Sequence, residues 1–213
     1  MIALRRDGPE DAAEAIVLAH GAGAPMDSPF LEHFARGLAA RGLRVVRFEF
    51  PYMSAWREGR RPPPDREPVL LDHWRAVLAA LGGEPPVIGG KSLGGRMASL
   101  LADEVGARGL VCLGYPFHPP GKPERLRVAH LERLRTPTLL VQGTRDALGS
   151  CEEVTSYRLS RSIRVRWIED GDHSLKPRAR SGRTERQNLD EAVDAVASFV
   201  DGLRERDSQR GGS

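Results

Sequence analysis

The stretch "VIGGKSLGG", residues 87–95, carries two motifs that exclude each other. Gly90-Lys91-Ser92 can end a phosphate-binding P-loop. Gly90-Lys91-Ser92-Leu93-Gly94 can equally be Gly-x-Ser-x-Gly, the turn that presents a nucleophilic serine. A P-loop needs Gly-x-x-x-x-Gly-Lys-Ser/Thr, because its backbone N–H groups wrap the phosphates. Its first glycine would fall at position 85, which is Pro85, followed by Pro86. Proline removes a donor and restricts the turn. Val87 and Ile88 moreover read as strand where that loop should lie. The P-loop reading fails.

A nucleophile elbow needs a strand, a sharp turn with small residues around the serine, and then a helix. "PVIGG" (86–90) supplies the strand, and Gly90 and Gly94 relieve crowding around a strained Ser92. Met97 and Leu101 begin the helix. In this reading Lys91 is simply the residue before the nucleophile.

A serine hydroxyl needs a base to take its proton. In elbow-bearing folds the acid and then the histidine follow the serine along the chain. Asp146, in "LLVQGTRDALG", lies just beyond one strand candidate, and His173, in "WIEDGDHSLKP", just beyond the next. Asp170 and Asp172 are competing acids whose simpler role is turn formation. Asp172 adjoins His173 and is poorly placed to reach its ring, so Asp146 is the expected partner. The backbone N–H of Leu93 is one expected oxyanion donor. The second comes from "HGAGAPMDSP" (20–29), assigned to Ala22 with Gly23 as the alternative. His20 reads as a structural hydrogen bonder, since one general base suffices.

The rest of the chain sets these residues in a fold. Six apolar runs read as strands: 15–20, 44–50, 86–90, 109–115, 137–143 and 163–169. Continuous Val/Ile/Leu runs suit parallel strands covered on both faces. Helical spacing appears between them at Phe30, Phe34 and Leu38, and at Leu70, Trp74 and Leu78. Leu189, Val193, Val196, Val200 and Leu203 form the clearest stripe. The alternation predicts an α/β fold, a mostly parallel sheet of six strands in order 2-1-3-4-5-6. The switch point of that order lies between strands 1 and 3, where ligands bind in open sheets. Those strands lead into "HGAGA" and "GKSLGG".

With 213 residues, the chain suits one domain, expected over 1–204 with a disordered tail at 205–213. Its 40% hydrophobic and 29% charged content fits a soluble globular protein. No apolar run reaches the roughly 18 residues of a membrane span. The first twenty residues carry acids where a secretory signal needs an apolar stretch, so a cytoplasmic location is expected. Cys112, inside an apolar run, reads as a buried free thiol. The six histidines lack zinc-site spacing, and no metal or cofactor is expected. Arginine clusters at 57–68 and 176–186 read as solvated loops. They lack the interleaved aromatics of a nucleic-acid surface, so no nucleic-acid partner is expected. The excursions 51–69 and 114–124 follow strands, so Tyr52, Tyr115, Phe117 and His118 are candidates for substrate contact or for packing. The sequence carries no signal for oligomeric state.

Several segments together, "LAHGAGAPMDSPF", "RFEFPYM", "GGKSLGGRMAS", "LGYPFHPPGKPE", "LLVQGTRD" and "GDHSLKP", resemble the α/β-hydrolase superfamily. The likeness is to its small lidless, dienelactone-hydrolase-like branch, and it covers about residues 14 to 203. Within that branch the chain resembles bacterial predicted hydrolases related to a testis-expressed hydrolase-like protein and to a histone-acetyltransferase complex subunit. The resemblance implies no cap domain and a triad of Ser92, Asp146 and His173. Dienelactone hydrolases proper use a cysteine nucleophile, and Ser92 departs from that pattern. The expected function is cleavage of a small-molecule ester, thioester or related acyl bond. The alternative is a binding or scaffold module on a hydrolase fold, because fold alone does not fix function.

Overall fold

The structure is a computed structural model that describes residues 2–211. Seven strands form one sheet: β1 (Leu4–Asp7), β2 (Ala15–Ala19), β3 (Arg44–Phe48), β4 (Val87–Lys91), β5 (Gly109–Leu113), β6 (Thr138–Gly143) and β7 (Ile163–Ile168). Their order is β1-β3-β2-β4-β5-β6-β7, and every pairing but one is parallel. The exception is β1, which runs antiparallel to β3 with Leu4 opposite Phe48. This corrects the expected six strands to seven. The six parallel strands keep the predicted order, and β1 adds an edge. Its sequence, Leu-Arg-Arg-Asp, has no apolar run, because an edge strand faces solvent over much of its surface.

Helices α1 (Pro29–Ala39) and α6 (Glu185–Gly211) cover one face. Phe34 and Leu38 of α1 and Val193, Val196 and Val200 of α6 share a core cluster there with Ile16, Leu18 and Val141 of the sheet. Helices α2 (Pro51–Arg57), α3 (Glu67–Leu81) and α4 (Leu93–Leu101) serve the other face. Trp74, Met97 and Leu101 pack there with Val17, Ile88 and Cys112. Each fully buried large aliphatic side chain contributes about 1.5–3 kcal/mol. The predicted stripes are therefore the two seams of the fold. Cys112 and Cys151 are both free thiols, and Cys112 is buried.

Two short helices went unrecognised in the sequence. α2 begins at "PYM", whose proline suggested a loop. Pro51 instead sits in the first turn, where its missing N–H has no intrahelical partner to lose. α5 (Cys151–Val154) is a single turn closed by a capping box between Ser150 and Glu153. The closing helix α6 continues past Leu203 to Gly211, over most of the segment expected as a disordered tail. No helix among the described residues is long and apolar enough to cross a membrane.

Candidate active site

Ser92 stands between β4 and α4 with φ 49° and ψ −110°, a conformation that non-glycine residues rarely adopt. Strain of this kind persists only where neighbours over-determine it. They do so here by close approach. A Cβ on Gly90 would lie 2.2 Å from the Ala19 carbonyl oxygen, and one on Gly94 2.5 Å from the same atom. Only glycine lets the elbow press against β2. The first N–H groups of α4, beginning at Leu93, have no intrahelical acceptor and surround the turn.

His173 reaches the turn from beyond β7. Its Nε2 lies 2.8 Å from Ser92 Oγ, and its Nδ1 lies 2.8 Å from Asp146 Oδ2. The carboxylate can only accept, so Nδ1 carries the proton and Nε2 is free to accept from the serine. Asp146, from the loop after β6, is fully buried, and its charge is met by hydrogen bonds. Gln142 Nε2 donates to Oδ2 at 2.8 Å and Leu148 N–H to Oδ1 at 2.8 Å. Gln142 also accepts from the Tyr115 N–H at 2.7 Å. It thus ties the acid to the β5 loop. Sequence reasoning missed Gln142, because a glutamine closing a strand carries no motif.

The competing acids are occupied elsewhere. Asp172 Oδ1 accepts the N–H groups of Ser174 and Lys176, closing its own turn. Asp170 is bound by Arg145 and Arg178, and the hydrogen bonds of Arg178, with the Arg145 charge beside them, hold its carboxyl down to about 2. A second serine–histidine pair, Ser99 and His130 at 2.8 Å, lies in α4 and the segment after β5. Ser99 is buried and its hydroxyl donates to the Arg96 carbonyl, as helical serines do. Burial pushes the His130 imidazole down to about 4.

His20 is buried, with burial lowering its pKa. Its Nε2 accepts from the Phe50 N–H (3.1 Å), and its Nδ1 donates to the Gly21 carbonyl (2.6 Å). It holds the loop after β2. Tyr52 does the same from α2, its hydroxyl 3.1 Å from the Ala22 carbonyl and 3.3 Å from that of Gly21. A trans peptide is planar, so the N–H across from each carbonyl points the opposite way. The N–H groups of Ala22 and Gly23 therefore point away from the Tyr52 hydroxyl.

A cleft of about 450 Å³ opens at these residues, lined by Ala22, Gly23, Phe30, Lys91, Ser92 and His173 among others. The aromatic candidates for substrate contact do not line it. Tyr52 lies beneath the loop, and Tyr115 and Phe117 are fully buried against each other with ring centroids 4.9 Å apart. His118 is also buried, its Nε2 3.4 Å from Glu153. The structure buries all four away from the cleft lining. The aromatic residue that does face the cleft is Phe30, which the sequence offered only as a helix-stripe residue. The arginine clusters are largely paired locally, as in Arg57 with Glu49 and Asp27, and Arg183 with Glu191.

Sheet order, elbow and relay together define the α/β-hydrolase class. A profile described as an alpha/beta hydrolase domain matches residues 12–201, and the chain belongs to that family. Among curated proteins it is 33% identical over 112 residues to "Putative protein-lysine deacylase ABHD14B" from Pongo abelii. That match covers 53% of this chain and 52% of the relative, so the chain spans about half the length of the curated relatives it matches. Among solved structures, Est1E from Butyrivibrio proteoclasticus with bound ferulic acid superposes with TM-score 0.73. It is 15% identical, covering 96% of each chain. XC6422 from Xanthomonas campestris, described as a serine hydrolase without lid, gives TM-score 0.65 at 19% identity, over 92% of this chain and 89% of that one. At such identities the structural likeness speaks to the fold alone.

Proposed function

We propose that the chain is a serine hydrolase that cleaves a small ester, thioester or related acyl bond through an acyl-serine intermediate. The observation that carries this is the unbroken relay from Asp146 through His173 to Ser92, both links at 2.8 Å, set on a strained turn at the cleft. Ser92 Oγ attacks the acyl carbonyl while His173 Nε2 takes its proton. The tetrahedral oxyanion is met by the N–H groups of Leu93 and Ala22, with Gly23 the alternative to Ala22. The carbonyls of Gly21 and Ala22 are bound by His20 and Tyr52, which supports that orientation of the loop donors. As the intermediate collapses, His173 returns the proton to the departing alkoxide or thiolate. Water then attacks the acyl-serine with His173 again accepting a proton, and Ser92 leaves with it. Asp146 fixes the tautomer and offsets the imidazolium charge.

We read the site as an open one without a cap domain, in the dienelactone-hydrolase-like branch and in a cytoplasmic setting. The Xanthomonas neighbour, itself without a lid, lends support to the lidless reading. Labelling by a fluorophosphonate probe, in the parent and in Ser92→Ala, tests the reaction class. A panel of p-nitrophenyl esters of graded acyl length, extended to thioesters and to an acyl-lysine peptide in view of the deacylase relative, then sorts the substrate. Labelling that survives in Ser92→Ala rejects the nucleophile. A parent that neither labels nor turns over any of these substrates favours the binding-module alternative.

A further inference from the structure

We infer that Lys91 is a positioning residue that latches the His173 loop to the nucleophile strand. The inference rests on the serine-hydrolase reading above. It starts from a side chain whose sequence role was only to precede Ser92.

Lys91 ends β4, its backbone paired beside Leu113 of β5. Its stem runs past Gly21, with Cγ 3.3 Å from the position a Cβ would take there. The head crosses to the segment after β7, where Nζ donates to the His173 carbonyl at 2.6 Å. It also lies 5.4 Å from the centroid of the Phe30 ring, within reach of a cation–π attraction. Gly114, after β5, makes room for this arrangement. At its φ of +65° a Cβ would stand 2.9 Å from Lys91 Nζ, 2.7 Å from the His173 carbonyl and 3.4 Å from His173 Nδ1. One side chain therefore ties the strand that carries the nucleophile to the backbone of the base.

The charged and titratable groups around the head are Asp146 from the β6 loop and Asp172 and His173 from the β7 loop. α1 contributes only the Phe30 ring. Burial pushes the Lys91 amine down to about 8, against the attraction of Asp146 and Asp172. Below that pH the head is an ammonium, and its hydrogen bond to the carbonyl is charge-assisted, roughly twice as strong as a neutral one. Above it the bond becomes neutral and the pull toward both carboxylates disappears. The histidine loop is then held less firmly, and small displacements of a catalytic group are expensive in rate.

The sign for folding runs the other way. From about 8 to 10.5 the unfolded chain holds the Lys91 proton more tightly than the folded one, so stability rises with pH across that window. The charged latch weighs against folding at neutral pH. Its removal is thus expected to lower activity without lowering the thermal midpoint, an outcome that a merely structural lysine does not give.

The test is the second-order rate of fluorophosphonate labelling from pH 6 to 10.5 in the parent, Lys91→Met and Lys91→Arg, with thermal midpoints at pH 7. The parent is expected to lose labelling rate above about pH 8. Lys91→Met should label about 10-fold more slowly at pH 7, lack that decline and melt no lower than the parent. Lys91→Arg, permanently charged, should lack the decline and recover part of the rate. The latch is overturned if Lys91→Met labels at the parent's rate, keeps the alkaline decline or melts lower. It is equally overturned if the parent shows no decline. Absence of parent labelling at every pH rejects the serine-hydrolase reading itself, and the latch with it.

Discussion

The Tyr52 hydroxyl lies 3.1 Å from the carbonyl of Ala22 and 3.3 Å from that of Gly21, sharing one proton between two consecutive peptides. Both peptides belong to the loop after β2 that lines the cleft opposite Ser92. A phenol thirty residues downstream thus governs which way that loop presents its N–H groups. Tyr52 is itself fixed by burial and by its backbone N–H, which donates to Asp65 Oδ2 at 2.9 Å.

Tyr52→Phe keeps the ring and removes only this tie. Loss of one oxyanion donor costs about 10²–10³ in kcat, and loosening the loop donor without deleting it should cost less, on the order of 10-fold. KM should change little, because the oxyanion exists only beyond the ground state. Stability should fall by about 1 kcal/mol, the net worth of an ordinary hydrogen bond. Steady-state kinetics on a short-chain ester and urea denaturation check the two parts. A rise in KM at constant kcat would contradict the proposed role.

Ser92→Ala and His173→Ala should each remove most catalysis, by a factor on the order of 10⁶ in kcat. The double variant should be scarcely worse than either single one, since the groups act as a unit. Asp146→Asn should lose less than Ser92→Ala, because its geometry survives while the tautomer is wrong. Near-normal turnover in His173→Ala would sink the assignment.

Gln142 holds the buried Asp146 and touches three backbone groups, the Tyr115 N–H and the carbonyls of Tyr115 and Gly149. Gln142→Leu strips the buried Tyr115 N–H and Gly149 carbonyl of this partner, while the Tyr115 carbonyl keeps the Phe117 N–H at 3.2 Å. The expected loss is about 1–3 kcal/mol of stability for each group left unsatisfied, read by chemical denaturation. Activity should fall alongside, because Asp146 loses the donor that shares Oδ2 with His173. Full stability in the leucine variant would show that the network is not closed as described.

The turn that delivers His173 should weaken in acid through Asp170. Its folded-state carboxyl sits at about 2, below the ordinary 3.8, because Arg178 and Arg145 favour the charged form. A depressed carboxyl stabilises the fold above the unfolded value, and this contribution disappears as pH falls from about 3.8 toward 2. Asp170→Asn should remove that part of the acid dependence and lower the melting temperature at pH 6. Parallel melting curves of parent and variant from pH 2 to 6 measure it, and identical slopes would exclude Asp170 as a contributor.

The sequence alone determined the parallel core of the sheet and its order, because continuous apolar runs and helical stripes are local consequences of burial on two faces. It also singled out Ser92, Asp146 and His173, since each follows a strand whose carboxyl end must meet the others. Edge strand β1 and helix α2 escaped that logic. The first buries too little to show a pattern, and the second opens with a proline that reads equally as loop or first turn. The roles of Lys91, Tyr52 and Gln142 were decided only by tertiary structure. Their partners are 82, 30 and 27 residues away, at the His173 carbonyl, the Ala22 carbonyl and the Tyr115 N–H. Two of these partners are carbonyls, which every residue supplies, and one is an N–H, which every residue but proline supplies. No side-chain pattern can announce such a contact, and only the folded chain chooses which backbone group each polar head will meet.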